Sequence, residues 1–211
     1  MYAKRPVVKL LTGSETSNYY INAITQNDAT TYKCEVSNVC GTQLSNGAVL
    51  TVKTPPAISS LPGSYTLCET NPIPLSVTSS GDPTPTYQWY KDSVLMTGYN
   101  THQLSISAAS ASDQGDYYCK ATNLCGDDST NISTVIVDEE PVITNQSSNS
   151  SVCVGQSLTL SATSSGAQPI TYQWYKSSAA ISGATNNTYT INSITSSDAA
   201  TYTCRASNSC G

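Results

Sequence analysis

Apolar and hydroxylated residues alternate in short strings along most of this chain. Ser157-Leu158-Thr159-Leu160-Ser161-Ala162 sets Leu158, Leu160 and Ala162 on one side and Ser or Thr on the other. A repeat of two residues lines up one face of an extended strand, so such a string buries one face and wets the other. The same reading applies to residues 75–78, 86–91, 103–107, 116–122 and 133–137, and again to 171–176, 188–194 and 201–207. Turn residues separate the strings roughly every ten positions, the spacing of an all-β sandwich.

The pattern repeats at long range. Cys34, Cys119 and Cys204 stand 85 residues apart, as do Cys40, Cys125 and Cys210, the pair Cys68 and Cys153, and the pair Trp89 and Trp174. The two tryptophans sit in matching strings, Tyr87-Gln88-Trp89-Tyr90-Lys91 and Tyr172-Gln173-Trp174-Tyr175-Lys176. A spacing kept without insertion marks tandem copies of one folding unit. The period predicts the C-terminal half of a domain over residues 1–54, a complete domain over 55–138 and a domain lacking its last strand over 139–211. Both ends of the chain are thus expected to fall inside a domain, with Met1 in the strand that would carry the tryptophan, where Met1-Tyr2-Ala3-Lys4 has none.

Composition narrows the possibilities. Charged residues make up 11% of the chain and Phe is absent, so hydroxylated strands are expected and almost no helix. A net charge of −5 and scattered basic residues exclude a nucleic-acid partner, which needs clustered Lys and Arg. No apolar run is long enough to span a bilayer, and residues 1–11 lack the apolar core of a secretory signal. Eight cysteines without any Cys-x-x-Cys, beside one histidine, read as an oxidising compartment and not as a metal site.

Three further strings carry a resemblance. Asp28-Ala29-Thr30-Thr31-Tyr32-Lys33-Cys34, Asp113-Gln114-Gly115-Asp116-Tyr117-Tyr118-Cys119 and Asp198-Ala199-Ala200-Thr201-Tyr202-Thr203-Cys204 resemble the strand F signature of immunoglobulin-like domains. With the Trp strings, Ile181-Ser182-Gly183-Ala184-Thr185 and Asn208-Ser209-Cys210-Gly211, the chain is similar to the tandem immunoglobulin-like (I-set-like) repeats of large bacterial cell-surface or secreted proteins. The resemblance implies tyrosine corners at Tyr32, Tyr117 and Tyr202, with Trp89 packed near Cys119 and Trp174 near Cys204. It also implies a departure: the positions that would pair with the strand F cysteines are Val77 and Ala162, so the usual bridge between sheets cannot form and Cys119 and Cys204 are expected as buried free thiols.

In that fold the early cysteine, Cys68 or Cys153, lies at the far end of its domain and the late one, Cys125 or Cys210, at the near end. Several residues of strand separate the two ends, beyond the roughly 7 Å that a disulfide spans between Cα atoms. Head-to-tail stacking instead brings Cys68 of one domain to Cys210 of the next. An interdomain Cys68–Cys210 bridge is therefore expected, with Cys40, Cys125 and Cys153 left unpaired.

No catalytic residue, cofactor or metal site is expected. His102 reads as a surface strand residue. Asp28, Asp113 and Asp198 read as turn carboxylates accepting local hydrogen bonds. Asp127, Asp128, Asp138, Glu139 and Glu140 read as solvated loop and linker acids, with calcium at a domain junction as the alternative. The triplets at Asn131, Asn145, Asn149 and Asn186 that fit N-glycosylation are uninformative in so Ser- and Thr-rich a chain. Tyr90, Tyr99 and Tyr175 either cover their sheet or form an exposed face for a protein or sugar. The expected function is a non-enzymatic, extracellular or cell-surface array acting as a stalk or adhesive spacer. The alternatives are domains that themselves bind a protein or glycan ligand, and accessory modules of a secreted polysaccharide-degrading enzyme. The expected partners are neighbouring repeats and a protein or glycan at a cell surface, without a membrane span.

Overall fold

The computed structural model describes residues 17–211, so the expectations for residues 1–11 lie outside the described residues. The chain divides into two compact units. The first holds the described residues up to Ile58, with Ser79–Thr86 and Ala121–Asp128; the second holds Ser59–Thr78, Tyr87–Lys120 and Ser129–Gly211. Among the described residues all the regular structure is strand, apart from three single 3-10 turns at Gln26–Asp28, Ala111–Asp113 and Ser196–Asp198.

In the first unit, Thr31–Tyr32 pairs antiparallel with Ala48–Val49, and Glu35–Asn38 with Gly41–Leu44. Thr54–Ile58 pairs antiparallel with Ser79–Asp82. These edges are largely exposed, Val39 and Val49 among them.

Most of the sheet in the order Ser64–Cys68, Ser133–Asp138, Gly115–Asn123, Thr86–Lys91, Val94–Leu95 belongs to the second unit. Its first pair is parallel, with Cys68 opposite Asp138; the Gly115–Asn123 pairing to Ser133–Asp138 is antiparallel. The facing layer is made by residues 72–78 and 103–107, joined by the bridges Ile73↔Ile106 and Ser76↔Gln103 and not by a continuous ladder. Three backbone bonds still join the segments, from Ile73 to Ile106, Leu104 to Leu75 and Val77 to His102, so the expected strands run side by side with sparse pairing. Alternate residues Ile73, Leu75 and Val77 point inward with Trp89, Leu104, Tyr117, Cys119, Val135 and Val137 to form the core.

The third repeat follows in the same unit as two three-stranded sheets, Val142–Gln146 with Leu158–Ser165 and Thr188–Ile191, and Ala179–Ala180 with Thr171–Lys176 and Tyr202–Ser207. Its core is Leu160, Ala162, Trp174 and Ala184, with Ile143, Ile181, Tyr189, Tyr202 and Cys204 packed around it. Among the described residues no strand follows Tyr202–Ser207.

One core position is polar. Ser133 is fully buried and its hydroxyl has no hydrogen-bond partner. One period earlier the residue is Ala48. Removing a buried unsatisfied hydroxyl recovers its desolvation cost, so Ser133→Ala is expected to stabilise the second repeat by about 1 kcal/mol. A urea midpoint unchanged or lowered in the variant would show that the hydroxyl is satisfied in solution.

Candidate functional site

The signature residues are built into the same local structure in every repeat. Ser110 donates to Asp113 Oδ2 through its backbone N–H (2.9 Å) and its hydroxyl (2.8 Å), and Thr25 with Asp28 and Thr195 with Asp198 repeat the arrangement. The three aspartates are therefore turn acceptors, as the sequence implies. The tyrosine hydroxyls of Tyr32, Tyr117 and Tyr202 donate to the carbonyls of Asp28, Asp113 and Asp198 at 2.8, 2.6 and 3.1 Å. Burial, followed by the Asp113 charge, raises the Tyr117 phenol above its ordinary value. Hydrogen bonds from Lys176 and then Thr195 hold the Asp198 carboxyl down at about 2.

The Trp strings are just as fully used. Trp89 and Trp174 are buried, and their indole N–H groups donate to the carbonyls of Thr101 (2.9 Å) and Asn186 (3.0 Å). Gln88 Nε2 donates to the Trp89 and Met96 carbonyls, and Gln173 Nε2 to those of Trp174 and Ile181. Lys176 reaches the Ser197 carbonyl at 2.9 Å and Asp198 at 2.9 Å. Tyr90 lies flat on Tyr118, ring centroids 4.7 Å apart with planes 1° from parallel. Tyr90, Tyr99 and Tyr175 are half-buried. His102 is exposed, 6.4 Å from Tyr87 ring to ring. No group of three His, Cys, Asp or Glu side chains that could hold a metal ion occurs among the described residues. Asn131 uses its amide to hold Leu61, accepting from its N–H (2.7 Å) and donating to its carbonyl (2.9 Å).

The strand F cysteines differ from each other. Trp174 is the register partner of Cys204 across the sheet. Cys119 is a buried free thiol that burial pushes up to about 11. Cys204, expected to be buried too, is only partly so, although burial raises its pKa as well. Thr130 bonds the Cys119 N–H and carbonyl, but Ser45 does the same for Cys34, so this pairing does not set the burial of the thiol. Cys34 is exposed. At neutral pH a maleimide is expected to label Cys125 fast, Cys204 more slowly and Cys119 only after denaturation, read by peptide mass spectrometry; equal native rates for Cys119 and Cys125 would contradict the burial.

The junction of the second and third repeats is where side chains from distant positions converge. Cys68 and Cys210 form a disulfide with Cα atoms 5.5 Å apart and a sequence separation of 142 residues. The linker brings them together. Asp138 lies opposite Cys68 in the parallel pair, and its carbonyl accepts the Glu69 N–H at 3.0 Å. Next to it, the Glu139 carbonyl accepts from Asn208 Nδ2 at 2.8 Å, while Asn208 Oδ1 accepts the Cys210 N–H at 2.8 Å. Cys210 Sγ lies 3.7 Å from the Asp138 carbonyl. Asp138 and Glu139 are thus backbone anchors for the two cysteines.

The anchoring role of Asn208 escaped the sequence reading. So did that of Asn123, whose Nδ2 holds Thr54 (2.8 Å) and Pro83 (2.9 Å) and whose Oδ1 accepts the Cys125 N–H at 2.8 Å. The available signal was Asn-x-Cys-Gly, which recurs at residues 38–41, 123–126 and 208–211.

Residues 55–123 and 140–208, more than half of the chain, match the sequence profile of the immunoglobulin domain. Human hemicentin-1 is 31% identical over 196 residues, which cover 87% of this chain and 3% of hemicentin-1. The Xenopus laevis protein named cell adhesion molecule-related/down-regulated by oncogenes is 27% identical over 169 residues, 77% of this chain and 14% of that protein. Among solved structures, the I-band fragment I67–I69 from titin superposes with a TM-score of 0.70 at 26% identity, covering 89% of this chain and 72% of the fragment. The chain spans 3% to 4% of the length of the hemicentin-1 relatives. These relatives come from animals, which corrects the likeness to bacterial repeats. The Tyr-Gln-Trp-Tyr-Lys string answers to core packing and sheet coverage that any such sandwich needs, so it carries no information about lineage.

Proposed function

We propose that this chain, which belongs to the immunoglobulin domain family, is part of an extracellular adhesive array whose repeats serve as a stalk or spacer. The observation that carries the reading is the Cys68–Cys210 bond, which clamps one repeat to the next at the linker. Such a bond persists in oxidising compartments, in keeping with an extracellular or cell-surface place. A relative named for cell adhesion points the same way. The domain limits that fit this reading are residues 55–138 and 139–211, with Asp138 and Glu139 as the hinge that the bond immobilises. A protein at the cell surface is the partner class that suits it.

Paired probes at Val94 and Ala179, both exposed, test the spacer reading by the distance distribution between repeats. Attached without cysteine chemistry, they are expected to give one narrow distance that broadens when the bond is reduced. A broad distribution with the bond intact would remove the spacer reading.

A further inference from the structure

The Cys68–Cys210 bond joins two series of cysteines, and the remaining members stand in the same local settings. In the late series, Cys40, Cys125 and Cys210 each donate their N–H at 2.8 Å to the side-chain oxygen of the asparagine two residues before, Asn38, Asn123 and Asn208. Asn208 then holds Glu139 at the linker, and Asn123 holds Thr54, the residue one period before Glu139. Cys125 is therefore anchored to its linker as Cys210 is to the linker that also presents Cys68. In the early series, the Cys68 carbonyl accepts the Asn71 N–H at 3.3 Å and the Cys153 carbonyl accepts the Gln156 N–H at 3.2 Å, one period apart. Cys40, Cys125 and Cys153 are exposed.

We propose that Cys40, Cys125 and Cys153 are junction sites of the same kind as the observed one: a late cysteine bonds the early cysteine of another immunoglobulin-type repeat stacked on it, and Cys153 is an early cysteine open to a late partner. The ligand is thus a cysteine of complementary type, carried by a second copy of the chain. The inference rests on the array reading. It turns one clamp into a rule of assembly, early to late and never early to early.

The bond forms by thiol–disulfide exchange with a small-molecule disulfide such as oxidised glutathione. The Cys153 thiolate attacks one sulfur of that disulfide, a thiolate leaves, and a mixed disulfide remains. The thiolate of the late cysteine then attacks the Cys153 sulfur and expels the second thiolate. Two cysteine thiols lose two protons and two electrons, and one small-molecule disulfide becomes two thiols.

The test uses the full chain in a glutathione redox buffer, as a mixture of isotopically light and heavy copies, with linked peptides mapped by mass spectrometry without reduction. The expected links are Cys153 to Cys40 or Cys125, with loss of these links and of the dimer band in Cys153→Ser. Peptides of mixed isotope are the expected result; unmixed ones would join Cys153 to a late cysteine of a preceding repeat, the reverse of Cys68–Cys210, and would overturn the proposal. Links of Cys153 to Cys153, of late to late cysteines, or no link beyond Cys68–Cys210 would overturn the proposal. In the last case the array reading stands, whereas failure of Cys68–Cys210 itself to form would remove that reading first.

Discussion

Replacing Trp89 with alanine is expected to cost the second repeat about 3–5 kcal/mol, among the largest losses a single substitution produces. The side chain is wholly inaccessible and shares its core with Tyr117, Cys119 and Val135. Truncation leaves a cavity that strands on both layers cannot follow inward without breaking their pairing. It also strands the Thr101 carbonyl, which now accepts the indole N–H at 2.9 Å. The chain has two tryptophans, so in this variant Trp174 alone reports, and its fluorescence follows the third repeat while circular dichroism follows both. An early transition by dichroism with the Trp174 transition in place is the expected result. A loss under about 1 kcal/mol would mean that the site collapses around the cavity and that Trp89 is not a keystone of this core.

The period and the alternation made the strands legible because both report burial directly. Residues 86–91 and 171–176 are strands as read, since Trp89 and Trp174 must face inward and their neighbours follow by alternation. Residues 188–194 are strand only to Ile191, and residues 103–107 pair through single bridges. Alternation tells which face is buried but not how regularly two neighbouring segments pair, and here only alternate residues bond, through Ile73, Leu104 and Val77. The junction was legible in outline from the ends at which Cys68 and Cys210 fall. Its anchors were not, because Asn123 and Asn208 act through backbone carbonyls of residues about 70 positions away, Thr54 and Glu139, whose side chains are irrelevant to the contact. Cys204 shows the opposite failure. Its sequence context matches Cys119, yet Cys119 is buried, Cys204 is partly so and Cys34 is exposed, a difference that no local pattern encodes.

Pulling a single chain from its two ends is expected to give the largest change of all when the Cys68–Cys210 bond is reduced. With the bond intact, tension entering at Cys68 crosses directly to Cys210, and the 142 residues of separation between them carry no load. That span includes Thr86–Lys91, Ser133–Asp138 and the whole core of the third repeat. At about 3.6 Å per extended residue, reduction should add on the order of 500 Å to the fully stretched length. The effect on equilibrium stability should be far smaller than the loop-closure model's figure of about 5 kcal/mol for so long a loop, because neighbouring repeats each have their own core and do not need the bond to fold. The two readouts therefore separate a mechanical clamp from a folding staple. Cys68→Ser should keep the urea midpoint of the second repeat near that of the parent chain while reproducing the long extension without any reductant. An extension that is the same in oxidised and reduced chains would mean that the bond does not carry the load, and the array would then owe its stiffness, if it has any, to the linker alone.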